Sequence, residues 1–316
     1  MSGAPREVGS GRPAAIALVG ATATGKTAVS EIVAAALGGE IVCADSRQLF
    51  RELEIGTGKP DPATRAARPH HLFDALALGH RASAGGYAAL AAECCAAIVA
   101  RGHTPVLVGG SGLYLRALMD GLSASPPHDP ERRARLVARA ASEGSEALHR
   151  DLAEVDPDTA ARLAPRDAQR ITRALEVWQA SGQPLSGWLA RRAPPAFEAA
   201  WQVVELVVDP AALQRRIEAR TRAMLDGGLI EETRELCAAG LEPDLRALRA
   251  VGYDESLDLL AGTIGREEAE ARMALRTRQL AKRQRTWFRH QIRALRLDAG
   301  ERHPEDLAVE VLRHVR

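Results

Sequence analysis

Apolar positions along the chain follow two rhythms. Strand-length stretches, the continuous apolar run Ala14–Val19 and the largely apolar Glu40–Ala44, Thr104–Val108 and Trp201–Asp209, are separated by stretches in which apolar residues recur at helical spacing. After the first run, Val29, Ile32, Val33 and Leu37 share one helix face; Ser83 is placed to cap an Ala-rich helix ending near Arg101, which Gly102 stops. Pro69–Asp74 leads into a further short strand. Strands alternating with helices predict an α/β fold with a parallel, doubly wound sheet. Between Glu131 and about Ala190 only the helical rhythm remains, bounded by Ser125-Pro126-Pro127 and Ala193-Pro194-Pro195. Residues 122–200 are therefore expected to be an all-helical insertion in a core made of 14–121 and 201–316. Helices are expected over 210–226, 228–240, about 245–261, and from Arg272 to Leu297.

Composition narrows the class without naming a function. The 316 residues are 46% hydrophobic and 26% charged, as in a globular protein with an ample core, but only 3% aromatic, so Ala, Leu and Val must do most of the packing. A net charge of +1 points to no polyanion globally; any basic surface must be local. The four cysteines, Cys43, Cys94, Cys95 and Cys237, form no zinc-like spacing and fit a reducing, cytoplasmic setting. Met1–Pro13, rich in Gly, Pro and Ser, is expected to be a disordered lead-in, and no window is long enough for a membrane span.

The sharpest local signal lies between the first strand and its helix. Gly20-Ala21-Thr22-Ala23-Thr24-Gly25-Lys26-Thr27 fits the pattern G-x-x-x-x-G-K-[ST] in the strand–loop–helix context that pattern requires. Such a loop turns backbone N–H groups and a helix N-terminus toward phosphate oxygens. Lys26 reaches the terminal phosphates, and the Thr27 hydroxyl suits Mg²⁺. The expected core is thus a P-loop NTPase-like parallel sheet. At the end of the second strand stands Asp45-Ser46-Arg47-Gln48, where open α/β sheets hold ligands; Asp45 either faces the bound phosphate or closes an Asx turn. A second glycine turn, Gly109-Gly110-Ser111-Gly112, follows the Thr104–Val108 strand.

From Arg272 to Leu297 the chain carries nine Arg or Lys and no acid. Arg278, Lys282, Arg285 and Arg289 form one stripe on a helical wheel, with Met273, Leu280 and Trp287 opposite. Such a stripe is either a solvated face or a polyanion-binding one; in the second case Trp287 or Phe288 is placed to stack on bases.

Taken together, these stretches resemble the tRNA dimethylallyltransferase family. The matching motifs are the glycine loop, Asp45–Gln48, Glu54-Ile-Gly-Thr-Gly-Lys-Pro60, Pro69-His-His-Leu72 and Val108–Tyr114. Arg166–Val177, Arg216-Ile-Glu-Ala-Arg220, Val251-Gly252-Tyr253 and Arg278–Gln284 followed by Thr286-Trp287 complete the set. The resemblance implies transfer of a dimethylallyl group from dimethylallyl diphosphate to N6 of adenosine 37 in tRNA, by a cytoplasmic monomer using Mg²⁺. It implies a general base at Asp45, a catalytic arginine at Arg220 and donor binding by Gly20 to Thr27. It also implies tRNA contacts at Asp45, Ser46, Arg47, Gln48, Ser111, Arg133, Gln169, Arg170, Ile171, Thr172, Arg173, Arg249, Gly252, Lys282 and Arg285, with Gln48 reading the adenine edge. Departures from the family pattern are Ala21 for Pro, Ser111 for Thr, Leu49-Phe50 for Val/Ile-Tyr, and Asp254 where a basic residue is common. The glycine loop and Asp45 alone also fit a P-loop small-molecule kinase, or an isopentenyltransferase acting on free adenine nucleotides. Neither gives the helical insertion or the basic stripe a role.

Overall fold

The computed structural model describes residues 7–8, 11–191 and 193–315. It divides into two compact units, one of residues 1–119 and 196–316, the other Asp120–Pro195. The larger unit opens with β1 (Glu7–Val8) and β2 (Arg12–Gly20), then α1 (Lys26–Leu37), β3 (Gly39–Cys43), a 3₁₀ turn at Ile55–Thr57, α2 (Pro62–Ala67) and β4 (His70–His71). It continues through α3 (Ala84–Ala100), β5 (Thr104–Gly109) and α4 (Gly112–Met119). The helical unit holds α5 (Pro130–Glu143), α6 (Ser145–Val155), α7 (Pro157–Ala160), α8 (Ala168–Ser181) and α9 (Leu185–Leu189). The larger unit resumes with β6 (Ala200–Val207), α10 (Pro210–Asp226), α11 (Leu229–Ala238), α12 (Glu242–Leu248) and α13 (Tyr253–Leu260). It closes with α14 (Arg266–Gln291), β7 (Leu295–Asp298) and α15 (Pro304–His314).

The strands lie in the order β4-β3-β5-β2-β6-β7, every neighbouring pair parallel, with β1 pairing antiparallel to the start of β2. Parallel strands are covered on both faces, which is why their sequences read as unbroken apolar runs rather than alternation. Within β2, Ile16 and Leu18 face one layer with Val29 and Val33 of α1, Leu213 and Ile217 of α10, and Leu307 and Val311 of α15. Ala17 and Val19 face the other, with Tyr87 and Ile98 of α3, Leu115 and Leu118 of α4, and Phe288 of α14. A third apolar cluster joins Phe50 and Leu53 to Leu229, Leu245, Tyr253, Leu257 and Met273, and so seats the 50s loop on α11 to α14. The helical unit has its own core of Leu136, Leu148, Leu152, Ile171, Ala174 and Leu175.

Three expectations change. The lead-in expected over 1–13 lies largely outside the described residues, and where it is described β1 pairs with Arg12 and Pro13, so the central strand starts before Ala14. The helix expected over 245–261 is two, because Arg249 and Gly252 both take positive φ (50° and 96°) between α12 and α13. The helix expected to run to Leu297 stops at Gln291, and Leu295–Asp298 adds an edge strand beside β6. That strand is only four residues long, with one basic and one acidic side chain, and Leu297 is its one fully buried position.

One buried carboxylate fastens the strand that ends at Asp45. Glu40 is 3% exposed and accepts from His71 Nε2 (2.5 Å), His103 Nδ1 (2.5 Å) and Arg101 (3.1 and 2.7 Å), linking β3 to β4 and to the α3–β5 turn. Burial favours the neutral carboxyl, but the hydrogen bonds from Arg101, His103 and His71 outweigh it and hold the group down at about 2. A folded-state value below the unfolded one stabilises the fold above the unfolded range, and the gain disappears as pH falls toward about 2. Glu40→Gln is therefore expected to cost about 1–2 kcal/mol near neutrality, and urea titrations should show the gap from wild type narrowing below about pH 4.5.

Candidate active site

Because the six sheet strands run parallel, their carboxyl ends share one edge, and four of them deliver chemistry there. β2 ends in the glycine loop, whose Gly25 takes φ 88° just before α1. β3 ends in Asp45, β5 in Gly109–Ser111, and β6 leads into α10, which carries Arg220. A cleft of about 290 Å³ opens at this edge. Asp45 is the one carboxylate among its lining residues, against Arg47, Arg220, Arg249, Arg276 and Arg283.

The Asp45 turn is held from several sides. Its Oδ1 accepts from Arg47 N–H at 2.9 Å, so the Asx turn forms while the carboxylate still lines the cleft. Ser111 Oγ accepts from Ser46 N–H (2.9 Å), and Ser111 N–H donates to Ala44 carbonyl (3.1 Å). Tyr87, stacked on Tyr114 with ring centroids 4.4 Å apart, donates its hydroxyl to Cys43 carbonyl at 2.9 Å. Gln48 Nε2 donates to the carbonyls of Thr57 and Gly58 (3.1 Å each), which ties the Asp45 turn to the 50s loop. In this structure Gln48 thus has its amide N–H groups engaged by protein. Leu49 and Phe50 are 1% and 2% exposed in the core, where a tyrosine hydroxyl would find no water.

That 50s loop is itself pinned. Glu232 of α11 accepts from Glu54 N–H (3.1 Å), Ile55 N–H (2.7 Å) and the Tyr253 hydroxyl. Lys59, its side chain fully buried, meets Asp74 (2.5 Å), Glu54 (3.4 Å) and Phe50 carbonyl (2.7 Å). Gly58 takes φ 61°, and a Cβ there would occupy the space of the Arg220 guanidinium, so only glycine lets this arginine reach Thr57 carbonyl (3.3 Å).

The cations of the site stand out electrostatically. Lys26 donates to Ala21 carbonyl at 2.6 Å and Arg220 to a carbonyl as well, so neither hydrogen bond goes to a carboxylate. Desolvation lowers the Lys26 ammonium to about 8, with Asp45 opposing and Arg220 adding to the fall. Arg220 and Arg47 are lowered too, by burial, again opposed by Asp45. Several half-buried, desolvated cations share one carboxylate, an arrangement that favours an added anion. The Thr27 side chain is exposed at the start of α1, with its hydroxyl in no hydrogen bond among the described residues.

A family model described as IPP transferase matches residues 48–291, and one described as isopentenyl transferase matches residues 13–72. The chain belongs to the IPP transferase family. It is 45% identical over 303 residues to the tRNA dimethylallyltransferase of Stenotrophomonas maltophilia strain K279a, covering 92% of this chain and 95% of that one. The tRNA dimethylallyltransferase of Halorhodospira halophila is 46% identical over 291 residues, covering 91% and 93%. Among solved structures, the tRNA isopentenylpyrophosphate transferase of Bacillus halodurans superposes with a TM-score of 0.68 at 31% identity, covering 95% and 96%.

In this IPP transferase the remaining motif residues separate into outward and inward sets. Lys282 and Arg289 are exposed on α14 and Arg285 half-buried, while Arg278 pairs with Glu218 at 3.4 Å. Phe288, a candidate for stacking on bases, is 1% exposed in the core, and the Trp287 ring packs on Gly112 and edge-on to Phe288. Helix period explains the correction: the buried line is Ala269, Met273, Ala274, Ala281 and Phe288, which turns both aromatics inward. Arg249 is exposed, but Gly252 is buried, its N–H donating to Glu255 at 2.7 Å. Asp254 pairs with Arg276 at 2.8 Å, so the acid serves as the partner of a cleft arginine.

Within the helical unit, Gln169 and Arg170 are exposed on α8, whereas Ile171 and Thr172 are 0% and 2% exposed and face its core. Buried Glu176 takes Arg173 (3.3 Å), Arg133 (3.8 Å) and His128 (2.5 Å), so both arginines are held by one carboxylate. Sequence reasoning missed Glu232, Tyr253, Glu176 and Gln284 as organising residues. Glu176, Tyr253 and Gln284 lie in motifs and Glu232 in none, and the partners of all four lie in other elements.

The Lys26 ammonium is charged below about pH 8 and loses its charge above. Affinity for an alkyl diphosphate, measured calorimetrically, is accordingly expected to hold to about pH 7 and weaken roughly tenfold by about pH 9. Lys26→Arg should flatten that decline, because a guanidinium keeps its proton throughout.

Proposed function

We propose that the enzyme transfers the dimethylallyl group of dimethylallyl diphosphate to N6 of adenosine 37 in the anticodon loop of tRNA, releasing diphosphate. The observation that carries this reading is the cation surplus beside the glycine loop, with Asp45 as the only carboxylate lining the cleft. A diphosphate bound on the loop's N–H groups, Lys26 and Arg220 meets that surplus with its own charge. As the bond between C1 and the diphosphate oxygen breaks, negative charge grows on the departing group, where these cations stabilise it. Arg220 offers a planar fork to two phosphate oxygens.

The new bond forms between N6 and C1, and the amine's surplus proton passes to Asp45. An exocyclic adenine amine is a weak nucleophile, so holding N6 in line with C1 matters more than basicity. The hydrogen bonds around the Asp45 turn serve that placement. Because the target base lies in a folded loop, it must leave its stack to reach the cleft.

Mg²⁺ fits the site. The described residues hold no group of three or more His, Cys, Asp or Glu arranged for a metal, while the Thr27 hydroxyl is exposed beside the loop. An ion held by Thr27, donor phosphates and water would supply further neutralisation of the diphosphate.

Arg47, Arg249, Lys282, Arg285 and Arg289 would meet the RNA, with Gln169, Arg170, Arg173 and Arg133 of the helical unit contacting the anticodon arm, chiefly at phosphates. The reading includes a cytoplasmic location, with which the four free cysteines are consistent, and a monomer. A small-molecule kinase would use the same loop but would leave the α14 cations without a role.

Incubation of undermodified tRNA with dimethylallyl diphosphate and Mg²⁺, followed by nucleoside mass spectrometry, should yield N6-isopentenyladenosine; transfer from ATP to a small acceptor instead would favour the kinase. Asp45→Ala is expected to slow the single-turnover step by roughly 100-fold or more with tRNA affinity nearly intact, and an unchanged rate would remove Asp45 from proton transfer. Lys282→Ala should weaken tRNA binding and lower its salt slope by about one, with donor affinity unaltered.

A further inference from the structure

One side chain on α14 reaches into the phosphate loop itself. Gln284 Oε1 accepts from Thr22 N–H at 2.9 Å, and its Nε2 donates to Gly110 carbonyl at 3.1 Å. A backbone N–H only donates and a carbonyl only accepts, so the two contacts fix the orientation of the amide. The approach is close: a Cβ on Gly110 would collide with Gln284 Nε2. Glycine in that turn is therefore what admits the amide.

The two loops joined in this way carry different halves of the chemistry. Thr22 belongs to the donor loop, three residues before Gly25, which opens α1. Gly110 precedes Ser111, whose hydroxyl accepts from Ser46 N–H beside Asp45. Through one amide, a helix far away in sequence sets the spacing between the diphosphate cradle and the turn that bears the base. Among the described residues, Lys26 hydrogen-bonds to Ala21 and Asp45 to Arg47 rather than to Gln284.

We propose that Gln284 is a positioning residue of the transferase, holding the phosphate loop in its binding shape against the Gly110–Ser111 turn. It acts through backbone groups rather than on substrate. The inference rests on the reading that the loop holds a diphosphate, and a diphosphate alone tests it without turnover.

The probe is inorganic pyrophosphate with Mg²⁺, titrated calorimetrically into the full chain. Gln284→Ala is expected to weaken pyrophosphate binding roughly tenfold, with tRNA affinity and the thermal midpoint near wild type. Gln284→Glu supplies a variant that matches the amide in shape. As a carboxylate it loses the donation to Gly110 and sets a negative charge beside the anion; as a neutral acid it regains one donor and one acceptor. Its affinity relative to wild type is expected to stay depressed through neutral pH and to recover only as pH falls toward about 4, the ordinary glutamate range. Unchanged pyrophosphate affinity in Gln284→Ala, a Gln284→Glu ratio that ignores pH, or a loss confined to tRNA binding would each overturn the proposal. Failure of the prenyl-transfer reading shows separately, as wild-type protein that binds pyrophosphate yet forms no isopentenyladenosine.

Discussion

Positive charge confined where water is scarce is the constraint on which this structure turns. Lys26 and Arg220 are both desolvated, both hydrogen-bonded to carbonyls, and both dependent on Asp45 for the nearest opposing charge. Desolvating two cations beside a single carboxylate is costly. In the proposed reaction, a diphosphate whose charge rises as it departs would pair with both cations. Much of the surrounding architecture keeps these groups from relaxing toward other partners.

The sheet does the first part of that work. Six parallel strands, the central ones buried on both faces, bring the glycine loop, the Asp45 turn and the Gly109–Ser111 turn to one edge, with α10 following β6. Side chains then lock the loops to one another. Glu232 and Tyr253 seat the 50s loop, Gln48 and Arg220 hold its carbonyls, Ser111 holds the Asp45 turn, and Gln284 joins two turns across the cleft. Transfer from a weak nucleophile demands such rigidity, because a displacement of an ångström costs far more rate than a modest change in basicity.

Most of the sheet was legible in the sequence because both-face burial writes itself as unbroken apolar runs, and the glycine loop because its spacing reflects a specific backbone shape. Asp45 and Arg220 came from motif resemblance joined to position. The edge strand Leu295–Asp298 was hidden, since the alternation of Leu-Arg-Leu-Asp lasts only four residues and follows directly on a basic helix. The helical wheel already set Trp287 opposite the basic stripe, and base stacking by Trp287 or Phe288 was the alternative; the packing of α14 decides it, with Trp287 on Gly112 and Phe288 in the core against the sheet. Gln284, Glu232 and Glu176 escaped for a common reason: their partners lie in other elements, and a single sequence records no pairing. The acid at Asp254, out of place beside an RNA surface, is resolved by Arg276.

The most direct test of the central claim is a crystal structure with an unreactive thiolo analogue of dimethylallyl diphosphate and Mg²⁺. The account predicts the diphosphate seated on the Gly20–Thr27 loop, within hydrogen-bond reach of Lys26 and Arg220, with C1 directed toward the Asp45 side of the cleft. A diphosphate bound away from Lys26 and Arg220, or a C1 turned from Asp45, would contradict it.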